Sequence, residues 1–444
     1  MAGNGWTLKS IEELKAPTNG AIAIGPFGSR MKSDCYVPSG VQVIRGTNIS
    51  DTRILVGEMV CITPKLADQL GNAIVHADDL VFPHRGSIGL VGIVPRNNVE
   101  RYALSSSLMK LTCDRKLVEP LFLFYFFRSD NGRHELLKNA STVGTPGIGQ
   151  PLSSLRSIKV PLPPLAEQKA IAAVLGALDD KIEMNRRMNA TLEAMARVLF
   201  QSWFVDFDPV RAKLDGRPPA ALDPGTAALF PASFQDSSLG HIPNGWETGS
   251  ILRQADLLSG GTPKTDVPAY WNGDVPWASA KDVSQCGEAF LVSTERTITK
   301  QGVEESSTKI IPANATVVVA RGATTGRLTM FGHAMAMNQT CYGLRSKVGA
   351  PFALYCNARH FIERLVQGGH GSIFDTITTS TFEATDVLLA PKEVLLAFDK
   401  QVTPLFLQVH ANLHQSRTLA TLRDMLLPKL LSGELNVEGL RFAS

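Results

Sequence analysis

The 444-residue sequence lacks the short motifs that identify most enzymes. It contains no GxxxxGK(S/T) phosphate-binding loop, no HExxH, no GxSxG, and no GxGxxG after a strand pattern. It also has no NPP tetrapeptide ending in an aromatic residue, the signature of adenine methyltransferases, and no histidine or cysteine spacing typical of a metal site. We therefore expect a binding protein that is not an enzyme by itself, with no catalytic residue and no metal.

Cysteine pairs and long apolar runs are also missing. The six cysteines are scattered without a CxxC pair, so we expect reduced thiols. No run of eighteen apolar residues is present, which excludes a typical transmembrane helix. The N-terminal sequence MAGNGWTLKSIEELK lacks the apolar core of a signal peptide, and we expect a cytoplasmic location.

The sequence also has little excess of charge of either sign. The net charge of +3 permits nucleic-acid binding without arguing for it, because a phosphate-binding surface is a local feature. Hydrophobic content of 44% and charged content of 19% are typical of a folded protein, and the length suggests two or three domains. Composition alone leaves the function open.

Two stretches of the sequence place apolar residues at steps that alternate between four and three. The first lies within residues 163–207, and the second repeats it 227 residues later, so that Ile171 matches Phe398 (171 + 227 = 398). This spacing is that of a coiled-coil seam, and it predicts two long helices that pair with each other. The predicted pairing residues are Ile171, Leu175, Leu178, Ile182, Asn185, Leu192 and Leu199 in the first helix and Val402, Leu405, Val409, Asn412, Leu419 and Leu426 in the second.

An asparagine occupies the same seam position in both predicted helices, at Asn185 and Asn412. Two buried amides that bind each other would lower stability yet exclude slipped pairings, so we interpret them as a device that fixes the register. The alternative is that both side chains face solvent at the edge of the seam.

The segments before the two helices also repeat one another. Arg85-Gly86 matches Arg321-Gly322, and the polar triplet Ser105–Ser107 matches Asn338–Thr340, each just before an apolar strand pattern. Short β-rich runs separated by turn signals indicate α+β domains. The repeat unit is therefore a globular domain followed by a long helix, and its use twice implies pseudo-two-fold symmetry.

Several stretches resemble the specificity subunits of type I restriction-modification enzymes. They are PLPPLAEQKAIAAVLGALDDKIEMNRRMN, LFQSWFVDFDPVRAKLDGR and LRDMLLPKLLSGEL around the helices, and SGGTPKTDVPAYWNGDVPWASAKDVS, ARGATTG and MNQTC in the second domain. The resemblance covers the whole chain. It implies a DNA sequence-specificity subunit whose domains each read one half of a bipartite target, while the paired helices fix the gap and recruit methyltransferase subunits.

The resemblance also implies the partners. These are double-stranded DNA, two methyltransferase (M) subunits and, through the complex, restriction (R) subunits, with no membrane. No cofactor is expected in this chain, since S-adenosylmethionine, ATP and Mg would be used through the other subunits. The alternative is a two-fold protein scaffold that does not bind DNA, which would explain the helices but not the duplicated polar loops.

The expected fold class is α+β, with two similar target-recognition domains in a pseudo-two-fold arrangement, joined by two long antiparallel coiled-coil helices. The expected boundaries are a first recognition domain at 1–164, a first spacer helix at 165–205, a proline-rich extended linker at 206–240, a second recognition domain at 241–392, a second spacer helix at 393–432 and a tail at 433–444. From Ile171 to Trp203 a helix would span about 50 Å. That length corresponds to roughly 10 to 15 base pairs between half-site centres.

Base recognition needs hydrogen-bonding side chains on loops or strand ends, and phosphate binding needs cations. Arg85 and Arg321 would project a guanidinium from a tight turn toward guanine or phosphate, or would pair with a local carboxylate. The polar triplets would contact bases, or would satisfy the backbone of their own turns. The predicted DNA-binding residues are Arg30, Lys32, Arg45, Arg85, Ser105, Ser106, Ser107, Ser153, Lys264, Lys281, Arg321, Thr324, Asn338, Gln339, Ser372 and Thr379.

Two further features have two interpretations each. Trp271 and Trp277 either line a DNA-facing surface of the second domain or belong to its core. The mixed charges on the outward face of the first helix, between Asp179 and Arg187, either are solvated or dock a partner.

Overall fold

The structure is a computed structural model that describes residues 5–26, 30–141, 144–368 and 376–437. It divides into two compact units. Unit 1 contains Met1–Glu183 and Arg417–Ser444, and unit 2 contains Met184–Ser416. Each unit therefore holds one globular domain together with part of each long helix.

The globular domain of unit 1 alternates short strands with short helices. Its strands are β1 (Thr7–Ser10), β2 (Ile22–Ile24), β3 (Tyr36–Val37), β4 (Val41–Ile44), β5 (Val60–Ile62), β6 (Ile74–Val75), β7 (Leu80–Pro83), β8 (Gly92–Ile93), β9 (Tyr102–Leu104), β10 (Leu108–Leu111), β11 (Ala140–Ser141), β12 (Gly147–Ile148) and β13 (Lys159–Leu162). Its helices are α1 (Ile11–Leu14), α2 (Pro64–Gln69), α3 (Pro120–Arg128), α4 (Asp130–Leu137) and α5 (Pro151–Ser157), with 3-10 turns at Ser33–Cys35, Gly46–Asn48 and Gly71–Ala73.

Two sheets carry the core of this domain. One has the strand order β2-β10-β7-β8 and the other β3-β5-β4-β9-β6, in which β4 and β9 run parallel. Strands β7 and β10 are buried at every residue rather than at alternate ones, as expected of strands covered on both faces. Helix α3, with the apolar sequence PLFLFYFFR, packs here, and the rings of Phe82 and Phe127 lie 4.9 Å apart edge to face.

The rest of the chain before the last helix belongs to unit 2, apart from the start of the first long helix, α6 (Leu165–Phe204). Its shorter helices are α7 (Asp208–Leu214), α8 (Pro224–Ala228), α9 (Ala280–Gln285), α10 (Lys300–Glu304), α11 (Pro351–Gly368) and α12 (Thr379–Ala384), with 3-10 turns at Ile251–Arg253 and Pro268–Tyr270. Its strands are β14 (Phe234–Ser237), β15 (Gly240–Pro243), β16 (Glu247–Ser250), β17 (Ala255–Ser259), β18 (Trp271–Ala278), β19 (Phe290–Leu291), β20 (Arg296–Ile298), β21 (Ile310–Ile311), β22 (Thr316–Val319), β23 (Leu328–Phe331), β24 (Met335–Met337), β25 (Cys341–Ser346) and β26 (Asp386–Leu389). The second long helix is α13 (Lys392–Leu431).

The second globular domain repeats the sheets of the first. Its orders are β17-β25-β22-β23-β19 and β20-β18-β24-β21, and β18 and β24 form a parallel pair. In that pair Trp277 lies opposite Ala336, as Val43 lies opposite Ala103 in the parallel pair of unit 1. The matched register shows that the sequence repeat corresponds to a repeat of topology.

The segment 206–240 was expected to be an extended linker, and that expectation is wrong. It contains α7, α8 and β14, which pairs with β15 in a hairpin. Val210 is fully buried and Phe230 is 2% exposed, in a core shared with Trp203 and Trp246. Two of its five prolines, Pro209 and Pro224, lie in the first turns of α7 and α8, where a missing N–H breaks no helical hydrogen bond, so these two begin helices rather than extend the chain.

The two long helices pack against each other within each unit. In unit 1, Asp179 near the middle of α6 binds Arg423 near the end of α13, with Oδ1 and Nη1 2.6 Å apart. In unit 2, the ring of Phe398 near the start of α13 lies 5.2 Å from that of Phe204 at the end of α6. The pairing is therefore antiparallel. The expected fold class, α+β with two similar domains and two long helices that pack together, is confirmed.

The seam residues of both helices face inward. Those that are buried are Ile171, Leu175, Asn185, Val402, Val409 and Asn412, and those that are half-buried are Leu178, Ile182, Leu192, Leu199, Leu405, Leu419 and Leu426. The positions spaced alternately by four and three residues therefore lie on the inward-facing side of each helix.

The seam asparagines are buried in unit 2, which contradicts the solvent-facing alternative. Asn185 Nδ2 donates to Gln415 Oε1 at 2.8 Å and to Ser416 Oγ at 3.2 Å, and it reaches the backbone carbonyl of Asn412 at 3.4 Å. The direct amide pair joins Asn412 to Asn189, with Nδ2 and Oδ1 2.9 Å apart. The antiparallel stagger moves the partner of Asn412 by one helical turn from the residue that the sequence repeat suggests.

Asp179 was expected on the outward face of the first helix, and that expectation is wrong, because its carboxylate is buried and joins three elements of unit 1. Asp179 on α6 accepts hydrogen bonds from Tyr125 Oη on α3 at 2.7 Å and from Arg423 Nη1 on α13 at 2.6 Å. Arg128 Nη1 lies 3.4 Å from the same carboxylate. Burial and the nearby carboxylate raise the pKa of Tyr125, so its hydroxyl keeps its proton and acts as the donor.

Candidate DNA interface

In unit 1 the ends of several strands meet at one edge, where backbone hydrogen bonds join loops from distant parts of the sequence. The N–H of Ser105 donates to the carbonyl of Ile44 at 2.9 Å. The N–H of His84 donates to Ser107 at 2.9 Å, and the carbonyl of His84 accepts from Ile148 at 2.9 Å. The loops after β4, β7 and β9 and the strand β12 therefore form one surface, which we call edge 1.

Unit 2 contains the same set of bonds at the matched positions. Asn338 donates to Ala278 at 2.9 Å, Ala320 donates to Thr340 at 2.8 Å, and Ile377 donates to Ala320 at 2.8 Å. An isolated bridge pairs Arg321 with Thr376, as another pairs Arg85 with Gly147 in unit 1. We call this surface edge 2. Its backbone matches that of edge 1 although most of the side chains differ.

A matched glycine allows the chain to pass close to each edge. A Cβ atom on Gly25 would lie 1.9 Å from the carbonyl oxygen of Ser105, and one on Gly260 would lie 2.2 Å from that of Asn338. Both distances are far below van der Waals contact, so only glycine fits these positions. Neither glycine could be predicted from the sequence, because close approach of two backbone segments leaves no pattern in a single sequence.

The predicted turn arginines lie exposed on these edges. Arg85 and Arg321 each precede a glycine with positive φ, 81° at Gly86 and 97° at Gly322. Such backbone favours glycine, and it turns the chain sharply just after the arginine. Neither guanidinium has an ion pair among the described residues, which argues against the local-carboxylate alternative. The loop of edge 2 is one residue longer, as RGATTG against RGSIG.

The two polar triplets differ in how much of their hydrogen-bonding capacity is used locally. Ser105 and Ser107 share a hydrogen bond at 3.1 Å, and Thr340 Oγ1 donates to Asn338 Oδ1 at 2.8 Å. The middle residues, Ser106 and Gln339, are exposed. Within each triplet the outer residues hydrogen-bond inside the turn. The exposed Ser106 side chain faces outward, whereas the exposed Gln339 accepts a hydrogen bond at Oε1 from Thr262 Oγ1.

A buried histidine of edge 1 forms a hydrogen bond with the backbone of the polar triplet. His84 is 7% exposed, and its Nε2 lies 3.1 Å from the carbonyl oxygen of Ser106. Since a carbonyl only accepts, Nε2 carries the hydrogen. Burial lowers the pKa of His84 below its usual value, so the ring is neutral at physiological pH and orients the exposed Ser106.

The remaining predicted DNA-binding residues fall into several groups. Arg30, Lys32, Ser153, Lys264, Thr324 and Thr379 are exposed. Arg45 is half-buried and donates from Nη2 to the carbonyl of Glu58 at 2.8 Å, and Lys281 forms an exposed ion pair with Glu295 at 2.7 Å. Ser372 lies outside the described residues. Arg45 and Lys281 thus already have local partners, whereas the first group is open to a ligand.

The two tryptophans belong to the core, as one of the two interpretations predicted. Trp271 and Trp277 are 7% and 5% exposed and cluster with Ile298 and Ala336. Sequence reasoning missed the residue that covers them: Arg296, exposed on β20, places its guanidinium carbon 3.5 Å from the ring centroid of Trp271. The contact between Arg296 and Trp271 could not be predicted from the sequence, because the two residues are 25 positions apart.

Within the described part of the chain, every helix is too short or too polar to span a membrane. The same residues contain no group of three or more histidine, cysteine, aspartate or glutamate side chains arranged to hold a metal ion.

Comparisons with known proteins agree with the repeated architecture. A family model described as the type I restriction modification DNA specificity domain matches residues 28–194 and 243–403. The type I restriction enzyme HindI specificity subunit of Haemophilus influenzae is 27% identical over 386 residues, which cover 76% of this chain and 82% of that protein. The MjaIX specificity subunit of Methanocaldococcus jannaschii is 24% identical over 392 residues, which cover 85% and 82%.

A solved structure shares the fold. The crystal structure of a type-I restriction-modification system S subunit from M. genitalium superposes with a TM-score of 0.58 at 14% sequence identity, over 97% of this chain and 98% of that one. At this identity the likeness concerns the fold alone.

Proposed function

Because this chain belongs to the family of type I restriction-modification DNA specificity domains, we propose that each of its globular domains reads one half of a bipartite DNA target. The observation that carries the proposal is the duplicated set of backbone hydrogen bonds at edges 1 and 2. The two frameworks match while the exposed side chains differ, as two readers of different sequences require.

The exposed groups on each edge suit the two tasks of a DNA-binding surface. Arg85 and Arg321 offer guanidinium groups that form no ion pair with the residues the structure describes, and such groups bind phosphate oxygens or the O6 and N7 atoms of guanine. Ser106 and Gln339 offer neutral donors and acceptors, and glutamine is suited to adenine. Phosphate contacts then come from the exposed cations around them, such as Lys32 and Lys264.

The paired helices would set the gap between the half-sites. Helix α6 and helix α13 each run for 40 residues without a break, and each contributes residues to both units. A helix of this length spans about 60 Å. A continuous, paired element of this kind supports a fixed spacing better than a flexible linker would.

The outward face of α6 would bind a methyltransferase subunit. Met184, Met188, Met195 and Val198 fall on one side of the helix at 100° per residue and are 55%, 40%, 48% and 67% exposed. An exposed apolar stripe of this kind supports docking of a protein partner on this helix. Two methyltransferase subunits would bind this chain, and restriction subunits would join through them to form a cytoplasmic complex. In that complex the partners would bind S-adenosylmethionine, ATP and Mg. This chain itself would not be catalytic.

The test is selection from a random-sequence duplex library by the full-length chain, with and without co-expressed methyltransferase subunits, over a range of salt concentrations. We expect enrichment of a split sequence, with affinity that falls as salt rises. If no sequence is enriched even with the methyltransferase subunits present, the protein is a scaffold and the proposal fails. Sequencing of N6-methyladenine in cells that express the complete system would give the target itself.

A further inference from the structure

An arginine in unit 2 is stacked on a pair of tryptophans. The guanidinium carbon of Arg296 lies 3.5 Å from the ring centroid of Trp271 and 5.7 Å from that of Trp277. The two indoles meet edge to face, with centroids 5.3 Å apart at 85°. At 3.5 Å the guanidinium has to lie flat on the Trp271 ring, since an edge-on approach would force its N–H groups into the ring.

The cluster is tied to edge 2 by hydrogen bonds from both indoles. Trp277 Nε1 donates to the carbonyl of Gly261 at 3.0 Å, and Gly261 donates in turn to the carbonyl of Met337 at 2.9 Å, next to the polar triplet. Trp271 Nε1 donates to the carbonyl of Lys264 at 3.0 Å. The tryptophans that carry Arg296 are therefore bonded to the 261–264 loop, which is in turn bonded to the residue just before the polar triplet of edge 2.

The guanidinium is held against the Trp271 ring, and within the described part of the chain its N–H groups have no hydrogen-bond acceptor. Arg296 is exposed, whereas both indoles are buried, so the guanidinium packs on tryptophans that are held in place by the core. Among the described residues no carboxylate forms an ion pair with Arg296, although the neighbouring Glu295 is paired with Lys281. Stacking removes rotational freedom from a long side chain in advance, so that less is lost when it binds a ligand.

We propose that Arg296 is a specificity-determining residue that donates two hydrogen bonds to O6 and N7 of a guanine in the half-site read by the second domain. The inference rests on the proposed function and adds to it one base-reading residue. A flat, fixed fork of N–H groups matches the two acceptors of guanine in the major groove. Phosphate contacts do not need this fixed orientation, and Lys264 and Arg321 are available for them.

The first domain does not repeat this device at the matched position. The parallel strand pairs place Val43 where the second domain has Trp277, and Val43 is fully buried. The matched edges therefore carry different reading groups at this point, as two unlike half-sites require.

The experiment compares the full-length chain, assembled with its methyltransferase subunits, with the variants Arg296→Lys and Arg296→Gln in library selection and in binding assays over a range of salt concentrations. Arg345→Lys is the matched control. It is also an exposed arginine of this domain, but it is paired with Asp256 near the far end of β25 from the polar triplet. Circular dichroism and thermal unfolding of each variant establish that it is folded.

We expect both Arg296 variants to lose discrimination at one G·C position of one half-site by roughly 5- to 150-fold, with the other positions and the Arg345→Lys control unchanged. Uniform weakening across all sequences with a smaller salt slope would identify a phosphate contact and overturn the proposal. Unchanged selection, or a half-site without a G·C pair, would overturn it too. Failure of the unaltered complex to select any sequence would instead refute the proposed function.

Discussion

At the scale of single residues, the structure explains why both edges have a glycine at the matched position although most of the side chains around it differ. Gly25 and Gly260 each pass a backbone carbonyl of the polar triplet at a distance that leaves no room for a Cβ atom. The sequence could predict the exposed Arg85, Arg321 and Gln339, because they stand out beside turn signals. It could not predict Gly25 or Arg296, since their importance arises from groups that only the fold brings near.

Alanine at either of these glycines should destabilise its own unit. The added methyl group would force backbone apart at the triplet, which should reduce the free energy of unfolding by about 1–3 kcal/mol, as other overpacked sites do. Gly287→Ala is the control, because a Cβ atom there would meet no atom within 4 Å and its φ is not positive. Thermal unfolding of the three single variants checks this. Equal melting temperatures for Gly25→Ala, Gly260→Ala and Gly287→Ala would contradict the close approach.

At the scale of elements, the starts of the two long helices are held differently. Gln168, buried near the start of α6, accepts a hydrogen bond from the N–H of Glu119 at 2.9 Å, just before α3. In α13 the corresponding task falls to Asp399, which accepts from the N–H groups of Phe352 and Ala353 at 2.8 and 2.9 Å in the first turn of α11. The second helix therefore departs from the AEQ sequence of the first but still anchors a domain helix by its N-terminal N–H groups.

The pairing of α6 with α13 in unit 1 should depend on Asp179. Asp179→Asn removes the charge that Arg423 and Arg128 share, so the largely buried guanidinium of Arg128 loses its carboxylate and that of Arg423 keeps only the exposed Asp424. We expect a loss of about 3–5 kcal/mol in the free energy of unfolding, measured by denaturant titration. The adjacent Asp180→Asn is the control, since Asp180 is 61% exposed and its ion pair with Arg53 should contribute less than about 1 kcal/mol. Similar losses for both variants would contradict a special role of the buried carboxylate.

The seam of unit 2 should depend on the amide pair rather than on each asparagine alone. Asn412→Leu would leave Asn189 Oδ1 without its donor inside the seam, which should cost about 1–3 kcal/mol. This loss corresponds to a fall of about 2–4 °C in melting temperature per kcal/mol. Ala411→Leu, on the exposed face one residue earlier, should change stability by less than about 0.5 kcal/mol. A melting temperature of Asn412→Leu at or above that of the unaltered protein would show that the amides are dispensable.

At the scale of the whole molecule, the periodicity of the sequence predicted the long helices and the repeated domains, whereas other features depend on three-dimensional packing. The alternation of four and three located both long helices, and the repeated Arg-Gly and polar triplets located both edges, because these patterns follow directly from regular backbone. The prediction of an extended linker at 206–240 was wrong, because a proline in the first turn of a helix and a proline in an extended chain cannot be told apart in the sequence. The burial of Val210 and Phe230 shows that this segment is folded. The stagger that pairs Asn412 with Asn189 also needed coordinates.

The proposed spacing function predicts the effect of shortening both helices together. Removal of seven residues from the middle of α6 and the facing seven from α13 keeps the seam in phase and shortens each helix by about 10 Å. The unread gap should then shrink by about 3 base pairs. The positions of N6-methyladenine in cells that express the complete system report the gap. The same removal from α6 alone is the control and should abolish specific methylation; an unchanged gap after the paired removal would exclude a role of helix length.

The backbone framework of the two edges has a consequence for how such a protein changes over generations. Its hydrogen bonds use the N–H and carbonyl groups of Ser105, His84 and their counterparts, and every residue except proline supplies both groups. Substitutions at the exposed positions should therefore leave these hydrogen bonds intact, whereas a side chain at Gly25 or Gly260 would force the backbone apart. Natural selection can alter the preference of one domain in small steps without refolding it, and without touching its twin.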